Sequence, residues 1–332
     1  EISCSLVGSE MCIRDRPHLD KITKAFIEDI KLRNGKPLYE ISPEEAREFL
    51  CNLQKEFHTA IDANTEDITI FSTIAGDISV RLVRPEKHTD EKLPVIVYCH
   101  GGGWVMGDAD AFDMTIRTIA VHTKSVVAFI NYPRSPEFQY PDALNQIYAA
   151  IKYFAENGSD HNIDTKRIAV AGDSAGGNMA AAAAIKVKKE GGPRLRFQAL
   201  IYPVTDADMN TESYREFKDG PWLTKKAMEY FWDCYVPEKD KRKEIYVSPL
   251  KAEIEDLKGL PQTLIITDEN DVLRDEGEAY ARKLIEAGVD TACVRINNTF
   301  HDFLLLNALR ESKATKAAYK LLCKFLKHAL HD

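Results

Sequence analysis

Residues 172–176 read Gly-Asp-Ser-Ala-Gly, a Gly-x-Ser-x-Gly pattern between a short apolar run and an alanine-rich segment. A serine on a sharp strand-to-helix turn has its hydroxyl exposed, and small flanking residues let the backbone bend that tightly. The hydroxyl then lies at a helix N-terminus, where free N–H groups favour a developing negative charge. Ser174 is therefore the candidate nucleophile, although this pattern alone is a weak signal.

A second motif, His-Gly-Gly-Gly-Trp at 100–104, follows the apolar run 93–99, which is typical of a buried strand. Glycines in this place let the chain lie close to a bound group and turn N–H donors toward it. We predict an oxyanion hole formed by the N–H groups of Gly102, Gly103 and Ala175. The alternative is that these glycines form an ordinary flexible turn. The position of the glycine motif ahead of the serine motif disfavours that interpretation.

An attacking serine needs a base that takes its proton and a carboxylate that orients and stabilises the base. His301 follows the strand-like run 291–296 through a short polar turn, which makes it the candidate base. Asp271 lies just past the strand-like run 262–267, in a predicted loop. The neighbouring acids Asp268, Glu269 and Asp275 are rivals, and the residues alone do not choose among them.

Together these motifs resemble the hormone-sensitive-lipase-like branch of the α/β-hydrolases, from about residue 40 to the C-terminus. That family carries His-Gly-Gly-Gly, then Gly-Asp-Ser-Ala-Gly-Gly, then an acid in Asp-x-Leu-x-Asp, then a histidine. The resemblance implies a catalytic triad of Ser174, Asp271 and His301. Two departures are visible: Val272 replaces the usual proline, and Asp302 follows the histidine where glycine is common.

Other residues near the motifs have more ordinary interpretations. We interpret His100 as a structural residue that bonds the oxyanion loop, not as a second base. Trp104, which follows the glycines, and Tyr202, in a segment that resembles the family's entry to the cap, are predicted to bind substrate. No His/Cys cluster has metal-ligand spacing, so we predict neither a metal nor another cofactor.

The composition excludes several function classes. A formal net charge of −8 and a pI near 5.7 argue against nonspecific nucleic-acid binding. We find no apolar run of roughly 18 residues, so no transmembrane segment is predicted. Residues 1–16 resemble translated adapter sequence and are left out of the fold prediction. Residues 17–332 then suit a single α/β domain with a lid.

The cysteines indicate the redox compartment. Two lie in the segment 1–16, and the other five form an odd, scattered set. Cys99 and Cys293 fall inside strands that we predict to be buried. This usage is typical of reduced thiols in a cytoplasmic protein and not of a disulfide framework.

Hydrophobic periodicity predicts alternating strands and helices. Strand candidates fall at 66–73, 78–84, 94–99, 125–131, 167–171, 197–202, 262–267 and 291–296, and helix candidates include 111–124, 141–157, 175–189, 276–287 and 312–330. Such alternation predicts an α/β fold, with an eight-stranded, mostly parallel sheet covered by helices on both faces. The first two strands alternate with period two and are predicted to form an antiparallel edge hairpin.

Two regions, 17–62 and 204–258, lie outside this core pattern. The first contains a helical repeat of apolar residues and a capping box at 42–45. The second carries apolar residues on one predicted helix face: Met228, Phe231, Trp232 and Tyr235. The family resemblance implies that both regions form a helical cap over the site.

These features predict a serine carboxylesterase that acts on short- to medium-chain esters of small molecules. Amide, formamide or lactone hydrolysis on the same triad are the close alternatives. A different class is a catalytically silent ligand receptor, because plant gibberellin receptors resemble this family but lack the triad histidine. His301 argues against that class here. A homo-oligomer stays open.

Overall fold

A computed structural model of the chain describes residues 19–88 and 92–332. The predicted adapter-like segment 1–16 lies outside the described residues. The five cysteines of the described part are all free. Among the described helices, none is long and apolar enough to cross a membrane.

All eight predicted strands are present in one sheet. They are β1 (Ala63–Ser72), β2 (Gly76–Pro85), β3 (Leu93–Cys99), β4 (Val126–Ile130), β5 (Ile163–Asp173), β6 (Phe197–Ile201), β7 (Gln262–Asn270) and β8 (Thr291–Phe300). Their order across the sheet is β1-β2-β4-β3-β5-β6-β7-β8. Only β1 with β2 and β2 with β4 pair in antiparallel fashion, which confirms the edge hairpin and the mostly parallel sheet.

Helices cover both faces of this sheet, as the alternating pattern predicts. The described α-helices are α1 (Lys21–Leu32), α2 (Pro43–Glu56), α3 (Asp113–Thr123), α4 (Asp142–Asn157), α5 (Ala175–Lys189), α6 (Glu212–Glu216), α7 (Lys225–Tyr235), α8 (Ile254–Leu257), α9 (Arg274–Glu286) and α10 (Lys313–His331). Helices α4, α5 and α9 pack on one face, and α3 and α10 pack on the other. The fold is the α/β-hydrolase fold.

The burial of each strand follows its place in the sheet. The central strands β3, β4 and β6 are buried at every position, because helices cover both of their faces. The edge strand β1 is largely exposed, and β8 is a mixture of exposed and half-buried positions that ends in two buried residues. The expectation that Cys293 lies in a buried strand was therefore wrong, since β8 is an edge strand and Cys293 is exposed. Cys99 is buried as expected.

The two regions outside the sheet fold into helices that begin where their sequences indicate. Ser42 and Glu45 form the expected reciprocal capping box at the start of α2, with Pro43 as its first residue. Helix α7 buries the predicted apolar face, which consists of Met228, Phe231, Trp232 and Tyr235.

Both regions contact loops at the carboxyl edge of the sheet. In α2, Arg47 Nε donates to Val105 O at 2.8 Å, close to the glycine motif. Gln54 Nε2 donates to the carbonyl oxygens of Ala111 and Leu305, each at 2.9 Å. Helix α2 therefore joins the loops that follow β3 and β8.

Candidate active site

Ser174 occupies a strained turn between β5 and α5. Its backbone angles, φ 53° and ψ −120°, are rarely adopted by a residue with a side chain. The turn closes tightly, because a Cβ added at Gly172 would lie 2.4 Å from Gly176 O. A Cβ at Gly176 would lie 2.0 Å from Cys99 O. The two glycines of the motif are therefore required by the close approach of backbone to backbone.

A continuous hydrogen-bond chain joins the three predicted triad residues. His301 Nε2 lies 2.8 Å from Ser174 Oγ, and His301 Nδ1 lies 2.7 Å from Asp271 Oδ2. Their exposed fractions are 4% for Ser174, 3% for His301 and 1% for Asp271. With an ionised Asp271, Nδ1 carries the proton and donates it, which leaves Nε2 free to accept from the serine hydroxyl. This arrangement can move a proton from the serine to the imidazole.

The same geometry separates Asp271 from its rivals. Leu273 N donates to Asp271 Oδ1 at 3.0 Å, so each carboxylate oxygen of Asp271 has one donor. Asp268 is buried inside β7, and neither of its oxygens has a hydrogen-bond partner in the described part of the chain. Burial, with Asp271 and Asp302 nearby, holds the pKa of Asp268 well above its usual value.

Carboxylates around His301 make it a stronger base than an ordinary histidine. Burial lowers the pKa of His301, but the negative charges of Asp271, Asp302 and Asp173 outweigh it and raise the pKa to about 9. Asp302 is the second close carboxylate, with Oδ1 3.6 Å from His301 Nε2.

The glycine motif forms a loop in the left-handed region of backbone space. Gly102, Gly103 and Trp104 have φ of 94°, 60° and 61°. Met106 N donates to Gly102 O at 2.8 Å and closes the loop. The N–H groups of Gly102 and Gly103 donate no hydrogen bond to the described residues. Ala175 is the first residue of α5, where the N–H has no intrahelical acceptor. These donors can receive an anion.

Buried side chains support the glycine loop from beneath. His100 Nδ1 donates to Gly101 O at 2.8 Å, and its ring stacks on Tyr132 at 3.9 Å. Burial lowers the pKa of His100 to about 3, so the ring is neutral. His100 therefore bonds the glycine loop, as the sequence predicts.

Asp173 is a supporting residue that the sequence analysis missed. Tyr98 OH and Gly101 N both donate to its Oδ1, at 2.8 and 3.0 Å. Burial, together with the charge of Asp302, raises the pKa of Asp173 to about 7. Its place between the motif glycine and Ser174 was the available signal.

The two predicted substrate-binding residues, Trp104 and Tyr202, are almost fully buried. The ring of Tyr202 lies 4.8 Å from the imidazole of His301. Trp104 stacks on Tyr235 of α7 at 4.4 Å and also packs on Trp232. Tyr202 therefore contacts the base, while Trp104 connects the glycine loop to α7.

One group of described residues places metal-ligand atoms close together. Carboxylate oxygens of Asp268 and Asp271 and a ring nitrogen of His301 lie within 4.8 Å of one another. Nδ1 of His301 is engaged with Asp271 and Nε2 with Ser174, so a cation would have to displace this hydrogen-bonded chain. We assign no metal to this group.

Comparisons with known proteins find similarity over most of the chain. The sequence profile of a family described as "alpha/beta hydrolase fold" matches residues 96–305. The chain is 37% identical over 289 residues to carboxylesterase NlhH of Mycobacterium tuberculosis, covering 87% of this chain and 90% of NlhH. It is 29% identical over 324 residues to arylacetamide deacetylase of Oryctolagus cuniculus, covering 79% and 81% of the two chains.

A solved structure matches over nearly the whole length. The crystal structure of a thermostable esterase from Pseudomonas putida ECU1011 superimposes with a TM-score of 0.93 at 45% sequence identity. The match covers 96% of this chain and 99% of that chain.

Proposed function

This chain belongs to the α/β-hydrolase family and is a serine carboxylesterase, and we propose that Ser174, His301 and Asp271 are its catalytic triad. We further propose that it hydrolyses short- to medium-chain esters of small molecules through an acyl-enzyme. The observation that supports this best is the unbroken hydrogen-bond chain from Ser174 Oγ through His301 to Asp271.

In the proposed reaction, Ser174 Oγ attacks the ester carbonyl while His301 Nε2 takes its proton. Asp271 holds the imidazole in the Nδ1–H tautomer and stabilises it when it becomes charged. The protonated Nε2 then gives its proton to the departing alcohol, which leaves an acyl group on Ser174. Water, deprotonated by the same nitrogen, attacks the acyl-enzyme, and the nitrogen returns that proton to Ser174 Oγ as the acid leaves.

We propose that the N–H groups of Gly102, Gly103 and Ala175 hold the oxyanion of each tetrahedral intermediate. The support is that all three donors lie at the glycine loop or at the start of α5, beside the nucleophile. Preorganised donors of this kind are worth roughly 3–4 kcal/mol each in the transition state.

Residues 17–62 and 204–258 are proposed as a cap over this site, within a single domain that spans 17–332. The hydrogen bonds of Arg47 and Gln54 to the loops, and the packing of α7 on Trp104, support this arrangement. A cap excludes water and shapes the acyl pocket. Tyr202, just after β6, and Trp104, in the glycine loop, are the residues that we propose to contact the substrate. The scattered reduced cysteines remain our basis for proposing a cytoplasmic location.

Amide hydrolysis is the second candidate activity. It is favoured by the similarity to a protein named arylacetamide deacetylase, since the same triad can cleave an aryl amide. Parallel assays with p-nitrophenyl esters of increasing acyl length and with p-nitroacetanilide compare the two. We expect ester turnover to exceed anilide turnover, and the reverse ranking would make amidase the main activity.

The triad is tested by Ser174→Ala, assayed with p-nitrophenyl butyrate. Because triad residues act as a unit, we expect kcat to fall by roughly 10⁴-fold or more. Ser159→Ala changes an exposed serine and serves as the matched control. Wild-type rates in Ser174→Ala would remove this assignment.

A further inference from the structure

Asp302, the residue after the proposed base, places a second carboxylate against the catalytic nitrogen. Its Oδ1 lies 3.6 Å from His301 Nε2, on the side of the ring that faces Ser174. That oxygen is buried and has no hydrogen-bond partner in the described residues, and the side chain is 16% exposed. An unpaired carboxylate oxygen beside a protonating nitrogen interacts with it electrostatically.

The other oxygen of Asp302 is held from the region 204–258. Trp222 Nε1 donates to Asp302 Oδ2 at 2.9 Å. The Trp222 ring packs in turn on Phe26 of α1 and on Phe300 at the end of β8, with ring centroids 5.6 and 6.3 Å apart. The Trp222 indole therefore fixes the direction in which the carboxylate of Asp302 points.

Asp302 also adopts a backbone conformation that is energetically unfavourable for a residue with a side chain. Its φ is 69°, in the left-handed region where glycine is favoured and where aspartate or asparagine is tolerated. The backbone at this position is compatible with aspartate but would favour glycine.

We propose that Asp302 and Trp222 are positioning residues for the hydrolysis: Trp222 holds the Asp302 carboxylate against His301 Nε2, where it stabilises the imidazolium that forms during catalysis. This inference rests on the proposed function of Ser174 and His301. It also makes the strength of the base depend on the region that carries Trp222.

Four carboxyl groups and one phenol of the described residues surround the imidazole. Asp271 faces Nδ1 and Asp302 faces Nε2, while the charge of Asp173 acts on the ring from β5. The fourth carboxyl, Asp268, interacts with Asp271 and Asp302 and is shifted toward its neutral form. The phenol of Tyr202, whose ring lies against His301, is held neutral mainly by burial.

The sign of the effect follows from the two states of Nε2. When Nε2 is unprotonated, its lone pair and the Asp302 carboxylate repel each other. When Nε2 is protonated, the two attract. Asp302 therefore has two linked effects: it raises the pKa of His301, and it lowers the energy of the transition state in which His301 resembles an imidazolium.

The test is a pair of pH profiles of kcat/KM for wild type and Asp302→Asn, with a p-nitrophenyl ester. Asparagine keeps the shape and tolerates the left-handed backbone, and Asp302→Gly serves as a second variant if the first folds poorly. We expect the acid-limb midpoint to fall by roughly one unit. At low pH, kcat/KM of the two enzymes should converge, because the larger fraction of neutral imidazole in Asp302→Asn offsets its lost transition-state stabilisation. At high pH both enzymes have a neutral imidazole, so kcat/KM of Asp302→Asn should be lower by roughly tenfold.

The Nδ1–H proton of the His301–Asp271 bond gives a readout that reports on the imidazole itself and not on Asp173. Its downfield NMR resonance, followed against pH, should titrate at a lower pH in Asp302→Asn. Trp222→Phe keeps an aromatic ring for packing but lacks the indole N–H that donates to Asp302, so we expect a smaller shift in the same direction. In the Asp302→Asn background, Trp222→Phe should add nothing further. Glu286→Gln, an exposed carboxylate at the end of α9, is the charge-matched control.

The outcomes separate the inference from the function on which it rests. The positioning role would be overturned if the pH profiles of wild type and Asp302→Asn had the same midpoint. It would also be overturned if kcat/KM of Asp302→Asn were lowered by the same factor at every pH. In that case the loss of activity in Ser174→Ala would still support the triad. Activity retained in Ser174→Ala would instead overturn the proposed function.

Discussion

Replacing Asp271 with asparagine tests the proposed acid at the point where the structure is most specific. Asp271 Oδ2 lies 2.7 Å from His301 Nδ1, and Oδ1 accepts from Leu273 N at 3.0 Å. An asparagine here must still present an acceptor to the backbone N–H of Leu273. Its amide NH₂ then points at Nδ1, which can only accept. The proton moves to Nε2, and that nitrogen can no longer take the serine proton.

The size of the effect follows from losing both the tautomer and the charge. A triad Asp→Asn change that leaves the geometry intact lowers kcat by about 10⁴-fold. At 1.36 kcal/mol per tenfold, this corresponds to about 5.4 kcal/mol of transition-state stabilisation. We therefore expect kcat for p-nitrophenyl butyrate to fall by about 10⁴-fold, with a much smaller change in KM.

Asp268→Asn is the matched control, since Asp268 lies three residues earlier and is equally buried. Its carboxyl makes no hydrogen bond in the described part of the chain, and its raised pKa favours the neutral form. Asparagine is close to that form in shape and charge, so we expect less than roughly a tenfold loss of activity. A larger loss in Asp268→Asn than in Asp271→Asn would refute the choice of acid.

Further predictions concern the loop, the turn and the pH dependence. Gly103→Ala would place a Cβ 2.4 Å from the Phe231 ring at a φ of 60°, so we expect kcat to fall by roughly 10²–10³ while circular dichroism stays native. Gly176→Ala would place a Cβ 2.0 Å from Cys99 O. We therefore expect the free energy of unfolding to fall by more than about 3 kcal/mol. A urea midpoint equal to that of the wild type would contradict this expectation. Because only neutral His301 acts as a base and its pKa is raised to about 9, kcat/KM should keep rising above pH 7, and a plateau from pH 7 would be inconsistent with that pKa.

The local elements could be read from the sequence because their signals are local. Helix α5 has the predicted bounds, and the capping box at α2 is formed by residues three apart. The edge hairpin followed from alternation within β1 and β2. Each of these signals depends on neighbours in the chain, so it does not require the rest of the fold.

The acid of the triad could not be chosen from local sequence signals alone. Strand β7 runs to Asn270, three residues past its predicted end, so Asp268 lies inside the strand and Asp271 directly after it. Two carboxylates three residues apart look alike in the sequence. The exposure of Cys293 was missed for a related reason, because an apolar strand at a sheet edge reads like one in the middle.

The sequence by itself determined the kinds of reacting groups, their order along the chain and the glycines that a tight turn requires. Only the tertiary structure decided how those groups meet: Ser174 and His301 are 127 residues apart in the chain, and Trp222 and Asp302 are 80 apart. Such contacts depend on strand register and helix packing, which bring distant segments to one edge of the sheet. The sequence places Asp302 next to His301, but only the packed molecule shows that its carboxylate lies 3.6 Å from Nε2 and accepts from Trp222.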